Sequence, residues 1–330
     1  MGSNRVHARR AARGLAVIAM LLVVGGVARA DSGGPPGIYV VSADGNDRAR
    51  LTSNVDWDPT WSPDGTKIAF AHNTSQVASR IEAMDADGSD PHPLTNPGPG
   101  CFDGAPAWSP DATTIAFGRR FSWDGGSDVF AMNADGSGQR NLTNAPAREN
   151  TEPAWSPDGT KIAFTVRGAG LMDMDIWVMD ADGSDQRPLA SSPLSGTAPA
   201  WSPDGTLIAF SKWTPGPPTY HRDIAVIGSD GTGERRLTKD THSDVGPAWS
   251  PDGTRVAFGR EIDHWPAGIW VVNADGSDLH PLTTVAGDER PAWSPDGAKI
   301  ALQARPPPPI ELPPPCVGPP PPPPPPPPKP

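Results

Sequence analysis

The sequence predicts an all-β protein built from repeated four-stranded units, and three features support this fold class. The 330 residues include 44 Pro and 36 Gly, which interrupt helices and mark turns. Aspartate outnumbers glutamate by 31 to 7, and Asp favours turns and caps. The motif Trp-Ser-Pro-Asp occurs six times, at intervals of 44 to 48 residues. Together these features exclude a large helical domain.

Each repeat unit is predicted to contain four short strands joined by tight turns. The first strand ends at Trp and is followed by Ser-Pro-Asp-Gly, in which Pro fixes φ at about −65° and Gly takes the left-handed conformation. The second strand is Ile-Ala-Phe, the third runs into an Asp-Gly turn, and the fourth usually ends in Leu-Thr. We expect the repeat tryptophans to fill space between adjacent units; they are Trp61, Trp108, Trp155, Trp201, Trp249 and Trp293.

The order of the motifs predicts how the repeats join end to end. An Asp-Gly strand pair, Ile38 to Thr52, precedes the first Trp-Ser-Pro-Asp, whereas the last motif, at Trp293, is followed only by one strand. We therefore expect the N-terminal strands to complete the last unit, giving a six-bladed β-propeller over residues 37–305 without an unfinished edge. One turn departs from the pattern, because Ala112 replaces the Gly, at a cost of about 1 kcal/mol.

The two ends of the chain predict export and an extended tail. Residues 1–30 have a basic stretch, an apolar run and Ala-Arg-Ala before Asp31, the layout of a secretory signal peptide. An uncleaved anchor is the alternative, but the run is about half of the ~20 residues that span a bilayer. We expect a secreted, periplasmic or envelope protein with no integral membrane span after cleavage. Residues 31–36 form a linker, and 306–330 a proline-rich polyproline II tail that is a spacer, a ligand or a passive segment.

The net charge of the protein excludes some classes of binding partner. The formal net charge is −11, and such a surface repels nucleic acid. The partners we expect are an envelope or extracellular protein, a peptide or a glycan, bound by a monomer.

A carboxylate ring is the first candidate site. Acidic or amide residues stand five positions before five of the repeat tryptophans, with Asp58 and Glu152 two residues further on. If the first strand is innermost, these side chains line the mouth of the channel and can hold a hard cation such as Ca²⁺ or receive a basic peptide. The alternative is that they cap turns. No cofactor is required, and the candidate metal ligands are Asp56, Asp103, Asn150, Asp244 and Asp288.

A second candidate site lies in the loops opposite the tight turns, where the repeats vary. Aromatic, basic and His residues gather there, and Trp, Tyr and Arg dominate binding hot spots. The alternative is that the rings pack over the blade edges. The candidate ligand-binding residues are Arg119, Arg120, Trp123, Trp213, Tyr220, His221, His264 and Trp265.

The two cysteines leave two interpretations open. Cys101 precedes the second unit and Cys316 lies in the tail. An oxidising compartment permits an internal disulfide between them, and the alternative is free or intermolecular thiols.

The repeats resemble the WD40-like (PD40) repeats of the TolB β-propeller family. The motif Pro-Ala-Trp-Ser-Pro-Asp-Gly-Thr-x-Ile-Ala-Phe, followed by Ile-Trp-Val-Met-Asp-Ala-Asp-Gly-Ser and Leu-Thr, carries the resemblance over about residues 37 to 304. The family's TolB protein also has an N-terminal α/β domain, which we expect to be absent here because only Asp31 to Gly37 separate the signal from the first strand.

The resemblance implies a fold and leaves function open. A non-catalytic binding scaffold is our leading expectation, because no nucleophile elbow or metal-ligand spacing occurs. Some TolB-like propellers are polysaccharide lyases with histidine and metal at the channel mouth, so a lyase-like or hydrolytic enzyme using His72, His221, His242 or His264 is the alternative. A structural envelope protein that works through its proline-rich tail is the second alternative.

Overall fold

The fold class is confirmed as all-β. A computed structural model of the chain describes residues 34–75, 78–122, 126–145, 148–168, 173–190, 195–215 and 220–306, and in these ranges the backbone forms strands and turns without a helix. A helix able to cross a membrane is accordingly not found in this part of the chain. The predicted signal peptide, residues 1–30, and nearly all of the predicted tail lie outside the described residues.

The strands group into four-stranded antiparallel units. The first strands are β1 (Gly37–Ser42) and β2 (Ala49–Arg50), followed by unit 1 with β3 (Asp56–Trp61), β4 (Lys67–Ser75), β5 (Ala78–Asp85) and β6 (His92–Pro93). Unit 2 comprises β7 (Phe102–Trp108), β8 (Thr114–Arg120), β9 (Ser127–Asn133) and β10 (Arg140–Asn141), and unit 3 comprises β11 (Glu149–Trp155), β12 (Lys161–Arg167), β13 (Met174–Asp180) and β14 (Arg187–Pro188). Unit 4 comprises β15 (Gly196–Trp201), β16 (Leu207–Thr214), β17 (His221–Gly228) and β18 (Arg235–Arg236). Unit 5 comprises β19 (Ser243–Trp249), β20 (Arg255–Ile262), β21 (Trp265–Asn273) and β22 (His280–Pro281), and the last two strands are β23 (Asp288–Trp293) and β24 (Lys299–Ala304).

The two ends of the described chain share one sheet, as the motif order predicts. Strand β1 pairs antiparallel with β24 over a register that runs from Gly37 opposite Ala304 to Ser42 opposite Lys299. The resulting order is β2-β1-β24-β23, which we call unit 6. Each edge that one terminal segment leaves open is thereby covered by the other.

Each unit buries both of its faces against neighbouring units. Strand β1 shows how: Ile38 and Val40 join a buried cluster with unit 1, whereas Tyr39 and Val41 point the other way into a cluster with unit 5. This division follows from the period of two along a strand. Comparable clusters lie between units 1 and 2, 2 and 3, 3 and 4, and 4 and 5. The core is therefore a series of layers between units, and units 6 and 1 share one of them.

The Ser-Pro-Asp motif is a hydrogen-bonded turn between the first two strands of every unit. In each copy the Ser Oγ donates a 2.6 Å hydrogen bond to the Asp carboxylate, as from Ser250 to Asp252. The same Oγ accepts the backbone N–H that begins the second strand, as from Arg255 in unit 5. The motif therefore closes the hairpin with side chains as well as with backbone.

The glycine of each Asp-Gly turn sits against the preceding unit. A Cβ at Gly136 in unit 2 would lie 2.3 Å from the carbonyl oxygen of Leu94 in unit 1. The same contact recurs between units 6 and 5, where a Cβ at Gly45 would lie 2.0 Å from the carbonyl oxygen of Leu282. The backbone φ of Gly136 is 86°, so both the conformation and the contact require Gly there.

We expect Gly136→Ala to lower the free energy of unfolding more than Gly233→Ala. Both residues have positive φ, at 86° and 71°, so both substitutions carry the left-handed penalty of about 1 kcal/mol. Only the Cβ at position 136 meets the neighbouring unit, because nothing lies within 4 Å of a Cβ at 233. The clash should add about 1–3 kcal/mol. Urea unfolding of both variants measures the difference, and equal losses would contradict the contact between units.

We expect stability to fall as the pH is lowered from about 4 to about 2. Hydrogen bonds from the Ser250 hydroxyl, the Thr254 backbone and the Thr254 hydroxyl lower the pKa of Asp252 to about 2 from 3.8. Because the folded pKa is depressed, the contribution of this carboxylate is complete above the unfolded value and is lost as the pH falls through the folded one. The other Ser-Pro-Asp carboxylates also have lowered pKa values.

Titration of the carboxyl carbons by NMR checks this cause directly. Ser250→Ala should raise the pKa of Asp252, while that of Asp204, in the equivalent turn of unit 4, stays unchanged as the internal control. An Asp252 titration that is insensitive to Ser250→Ala would disprove the role of the hydroxyl.

Candidate functional site

In each unit the strand that ends in the repeat Trp borders a central cavity of about 390 Å³. We call it the first strand of the unit; in unit 6 it is β23. The wall of the cavity consists of the repeated Pro-Ala-Trp segments, with Thr in place of Ala in unit 1. The start of each of these strands pairs near the far end of the second strand, as Phe102, the first residue of β7, does with Arg120, the last residue of β8. The strand starts, the hairpins between second and third strands and the connections between units therefore share one face, which we call the variable face.

A β-bulge in each of these first strands turns one side chain into the cavity. In every unit the register with the second strand shifts just before the Pro-Ala-Trp segment, as between Trp57 and Thr60. The residue three positions before Trp takes a positive φ there, which is typical of a bulge. These six cavity-lining residues, which we call the mouth ring, are Asp58, Ala105, Glu152, Ala198, Gly246 and Arg290.

Three members of the mouth ring carry charge and form one network. Arg290 donates a 3.0 Å hydrogen bond through Nη1 to Glu152 Oε1, and its Nε lies 3.6 Å from Asp58 Oδ1. Asp58 also accepts the backbone N–H of Ala105, and Glu152 accepts that of Ala198. The backbone of the ring thus holds both carboxylates, and one guanidinium is shared between them.

The two carboxylates differ in how readily they bind a proton. Burial raises the pKa of Asp58 above its ordinary value, although Arg290 acts against this shift. Burial acts in the same direction on Glu152, but Arg290 and hydrogen bonds from Thr165 and Ala198 outweigh it and leave the pKa of Glu152 lowered. Glu152 is therefore the close partner of Arg290, and Asp58 is the less compensated of the two carboxylates.

A groove extends from the mouth ring across units 1 to 3 on the variable face. It has a volume of about 290 Å³ and shares Asp58 and Arg290 with the central cavity. Trp57 and Phe102 supply apolar surface, and Arg120, which forms a 3.1 Å salt bridge with Glu149, supplies charge. Cavity and groove together make one continuous candidate site.

The predicted metal ligands do not come together. Asp103 and Asp244 are fully buried and accept two hydrogen bonds each from Arg119 and Arg260 on the adjacent strand. The expectation of an open carboxylate ring formed by these residues needs correction, because the bulge turns the residue two positions later into the cavity. Among the described residues, no group of three or more His, Cys, Asp or Glu is arranged to hold a metal ion.

The other three predicted ligands also have protein partners within or beside their own unit. Asp56 lies 2.8 Å from Nδ1 of His72, and Asp288 is bound by Arg48. The side-chain amide of Asn150 donates to Asp128 at 3.3 Å. These contacts are neither a metal site nor the turn caps that the sequence left as the alternative. They tie strands and units together behind the mouth ring.

The predicted aromatic and basic residues are divided among several places. Arg120 lines the groove, whereas Arg119 is held in its buried pair with Asp103, a further correction. Trp213 packs under the guanidinium of Arg222, whose carbon lies 5.1 Å from the ring centroid. Trp265 is half-buried at the start of β21. Trp123 and Cys316 lie outside the described residues, and Cys101 is a free thiol in the described part of the chain.

Tyr220, His221 and His264 come together in a separate pocket between units 4 and 5. The pocket has a volume of about 220 Å³, and its other lining residues are Thr241, His242, Ser243, Glu261, Ile262 and Asp263. Asp263 and His264 form the tip of the β20–β21 hairpin with φ values of 51° and 63°. None of its lining residues belongs to the cavity or the groove.

Arg290 is the residue of this candidate site that the sequence did not predict. The signal was present, because the position three residues before each repeat Trp varies while the next residue is always Pro. Variation beside an invariant residue marks a position at which the repeat accepts side chains of different chemistry.

Solved structures with the same fold include TolB proteins and an enzyme. The putative TolB from Agrobacterium tumefaciens is similar with a TM-score of 0.69 and 22% identity, covering 82% of this chain and 98% of that one. TolB from Acinetobacter baumannii gives a TM-score of 0.63 at 20% identity, covering 78% of this chain and only 66% of that one. Oligogalacturonate lyase from Vibrio parahaemolyticus gives 0.51 at 11% identity, covering 83% and 98%. These similarities concern the fold alone.

Family membership rests on the sequence itself. A search among curated proteins found no similar sequence. The family model described as the TolB beta propeller domain, PD40, matches residues 98–190 and 172–307. Since these matches span well over half of the 330 residues, the chain belongs to the TolB β-propeller family.

Proposed function

We propose that this protein is a closed six-bladed propeller that acts as a non-catalytic binding scaffold in the periplasm or outside the cell. The buried cluster between units 6 and 1 supports closure, because it repeats the packing found between the other neighbours. The turn contacts support it too, since a Cβ at Gly88 in unit 1 would lie 3.3 Å from Leu51 in unit 6. Export rests on the predicted signal peptide and on the family.

The ligand that best fits the mouth ring and groove is a basic, extended peptide segment of an envelope or extracellular protein. The observation that carries this proposal is the continuity of the groove with a cavity mouth in which two carboxylates share one guanidinium. Arg290 compensates the charge of Asp58 less than that of Glu152, and the Asp58 side chain is partly accessible to solvent. The net charge of −11 would steer a basic segment toward the protein.

The groove also suits a peptide in shape and chemistry. Its rings, Trp57 and Phe102, offer apolar contacts, and Arg120 with Glu149 offers paired charge at the outer end. Sites of this kind gain affinity from a few aromatic and charged anchors. Ca²⁺ in the channel remains part of the hypothesis as a cation that competes for Asp58.

Catalysis is the second candidate function. The clustering of His221, His242 and His264 around one pocket favours it, because imidazoles serve as acids and bases near neutral pH. Under this alternative the enzyme would be lyase-like or hydrolytic. Activity on oligogalacturonate that is lost in His221→Ala and retained in Asp58→Asn would replace the scaffold proposal. His72 is a weaker candidate, because it is engaged by Asp56.

We expect Arg290→Met to destabilise the protein by about 1–3 kcal/mol, because it leaves two partly buried carboxylates without their shared cation. The double variant Arg290→Met/Glu152→Gln should recover part of that loss, since the tighter salt bridge is to Glu152. Urea unfolding of the single and double variants forms a double-mutant cycle. Additive losses would show that Arg290 and Glu152 are not coupled.

Selection from a displayed library of random 12-residue peptides tests the proposed function. Mature protein should enrich basic sequences, and Asp58→Asn/Glu152→Gln should bind them about tenfold more weakly. Asp263→Asn is the matched control, since it removes a carboxylate from the same face outside the groove. Enrichment of acidic peptides, or equal binding by all three proteins with equal thermal midpoints, would refute the proposal.

A further inference from the structure

We infer that the pocket between units 4 and 5 is a binding site for a neutral saccharide, separate from the mouth ring and independent of the proposed function. Its lining residues come from three neighbouring segments of the variable face: the start of β17, the connection into β19 and the β20–β21 hairpin. Its volume of about 220 Å³ is below the range of drug-sized sites and suits one sugar ring.

The rim of the pocket is apolar and open to solvent. Tyr220 is 60% exposed and Ile262 is 44% exposed, and they are two of the four large hydrophobic side chains exposed in the described part of the chain. Single exposed apolar side chains scattered over a surface need no explanation, but two of them at one small pocket indicate a contact surface. An accessible phenol ring can cover the apolar C–H face of a sugar and offer a hydroxyl at its edge.

The interior of the pocket presents hydrogen-bond acceptors in fixed orientation. Nδ1 of His242 lies 3.1 Å from Asp240 Oδ1, and donation there leaves Nε2 of this imidazole as an acceptor. His221 differs, because its Nε2 lies 3.9 Å from Asp223 Oδ1, beyond hydrogen-bond distance. That oxygen belongs to a fully buried carboxylate and has no hydrogen bond from the described residues. The His242 imidazole is therefore oriented by a carboxylate and has a second nitrogen for a ligand, and His221 adds a second imidazole to the same pocket.

The hydroxyl-bearing residues complete a set that matches a polyol. Thr241 and Ser243 line the same wall, and Ser243 Oγ already accepts the backbone N–H of Arg222, which leaves its own proton for donation. A sugar ring carries several hydroxyls, each both donor and acceptor, so it can pair with these groups at once. A purely apolar ligand would leave them unpaired, at a cost in affinity.

The charge of the pocket favours a neutral sugar over an acidic one. Arg222 forms a 3.0 Å salt bridge with Glu261. This guanidinium is therefore already paired and is not available to a carboxylate on a ligand. Asp263 adds an exposed carboxylate at the hairpin tip. The left-handed φ values of Asp263 and His264 hold this tip in a conformation that Gly or Asn would adopt more easily, and such strain concentrates at functional sites.

Saturation-transfer NMR with chitotriose, maltotriose and cellotriose at millimolar concentration tests this assignment. We expect transfer to at least one trisaccharide, about tenfold weaker binding in Tyr220→Ala, and nearly full binding in Tyr220→Phe, which keeps the ring. Phe121→Ala is the matched control, because Phe121 is 45% exposed on the same face outside the pocket. All variants must melt like the parent protein.

Several results would overturn the assignment. Transfer to none of the three sugars, or transfer that survives Tyr220→Ala, would remove the saccharide site. Stronger binding of trigalacturonate would contradict the charge argument. Stabilisation by ZnCl₂ that His242→Ala abolishes, without any sugar signal, would assign the pocket to a metal instead. Asp58→Asn/Glu152→Gln should leave sugar binding unchanged, so this test and the peptide selection fail independently.

Discussion

The rest of the structure depends on one constraint: every four-stranded unit has two apolar faces and must bury both. A single sheet of this size cannot do so alone, because its alternating side chains point in two directions. In β1, adjacent residues of the run Ile38 to Val41 join different clusters. A row of such units leaves an uncovered face at each end, and pairing of β1 with β24 brings those ends together. The short fourth strands follow from the same geometry, since two residues pair there and present little open edge.

The second constraint is the bulge before Pro-Ala-Trp. It places one residue of each unit in the mouth ring with a left-handed backbone, and side chains of other residues accept the backbone N–H of four of these positions, as Asp58 does from Ala105. Ala105 and Gly246 serve there as well as Glu152 does. The bulge therefore accommodates residues of different chemistry at this position, from Gly246 to Arg290. Buried pairs such as Asp244 with Arg260 lie one step behind and keep the strand starts in place.

Burial of those pairs has an electrostatic cost that the fold must offset. Burial raises the pKa of Asp244 to about 6, although two hydrogen bonds and the charge of Arg260 oppose the shift. The charged form of this carboxylate is therefore less stable in the folded chain than in the unfolded one. Its contribution to stability is greatest at low pH and is lost as the pH rises through about 6. Such pairs are better understood as devices that fix strand position than as sources of stability.

Much of the fold could be predicted from the sequence, because turns and strand period are local properties. Ser-Pro-Asp-Gly specifies its own hairpin, and Ala112 takes the left-handed conformation, with φ of 59°, as the repeat pattern required. The pairing of the two ends followed from counting strands. The mouth ring was harder to predict, because a bulge changes which side chain points inward and leaves no mark in an alternating pattern. Asp56 and Asp58 are equally acidic in sequence, yet one is bound to His72 and the other lines the cavity.

The partners of buried charges were hidden for a related reason. Arg119 and Arg260 follow the Ile-Ala-Phe and Val-Ala-Phe strands and look like loop residues in sequence, and only the register places them opposite Asp103 and Asp244. By contrast, Tyr220, His221 and His264, which the sequence places on the variable face, line one pocket there, and their role in binding stays a prediction.

The candidate sites lie where the near-identical units differ in their side chains. The charged members of the mouth ring belong to units 1, 3 and 6, and the groove extends over units 1 to 3. The histidine-lined pocket lies in the opposite sector, between units 4 and 5. Because the two sites share the variable face but no side chain, a substitution at one need not disturb the other. In the proposed closed propeller, the two proposed sites would hold ligands of different chemistry at a fixed separation, which suits the proposed role as a binding scaffold.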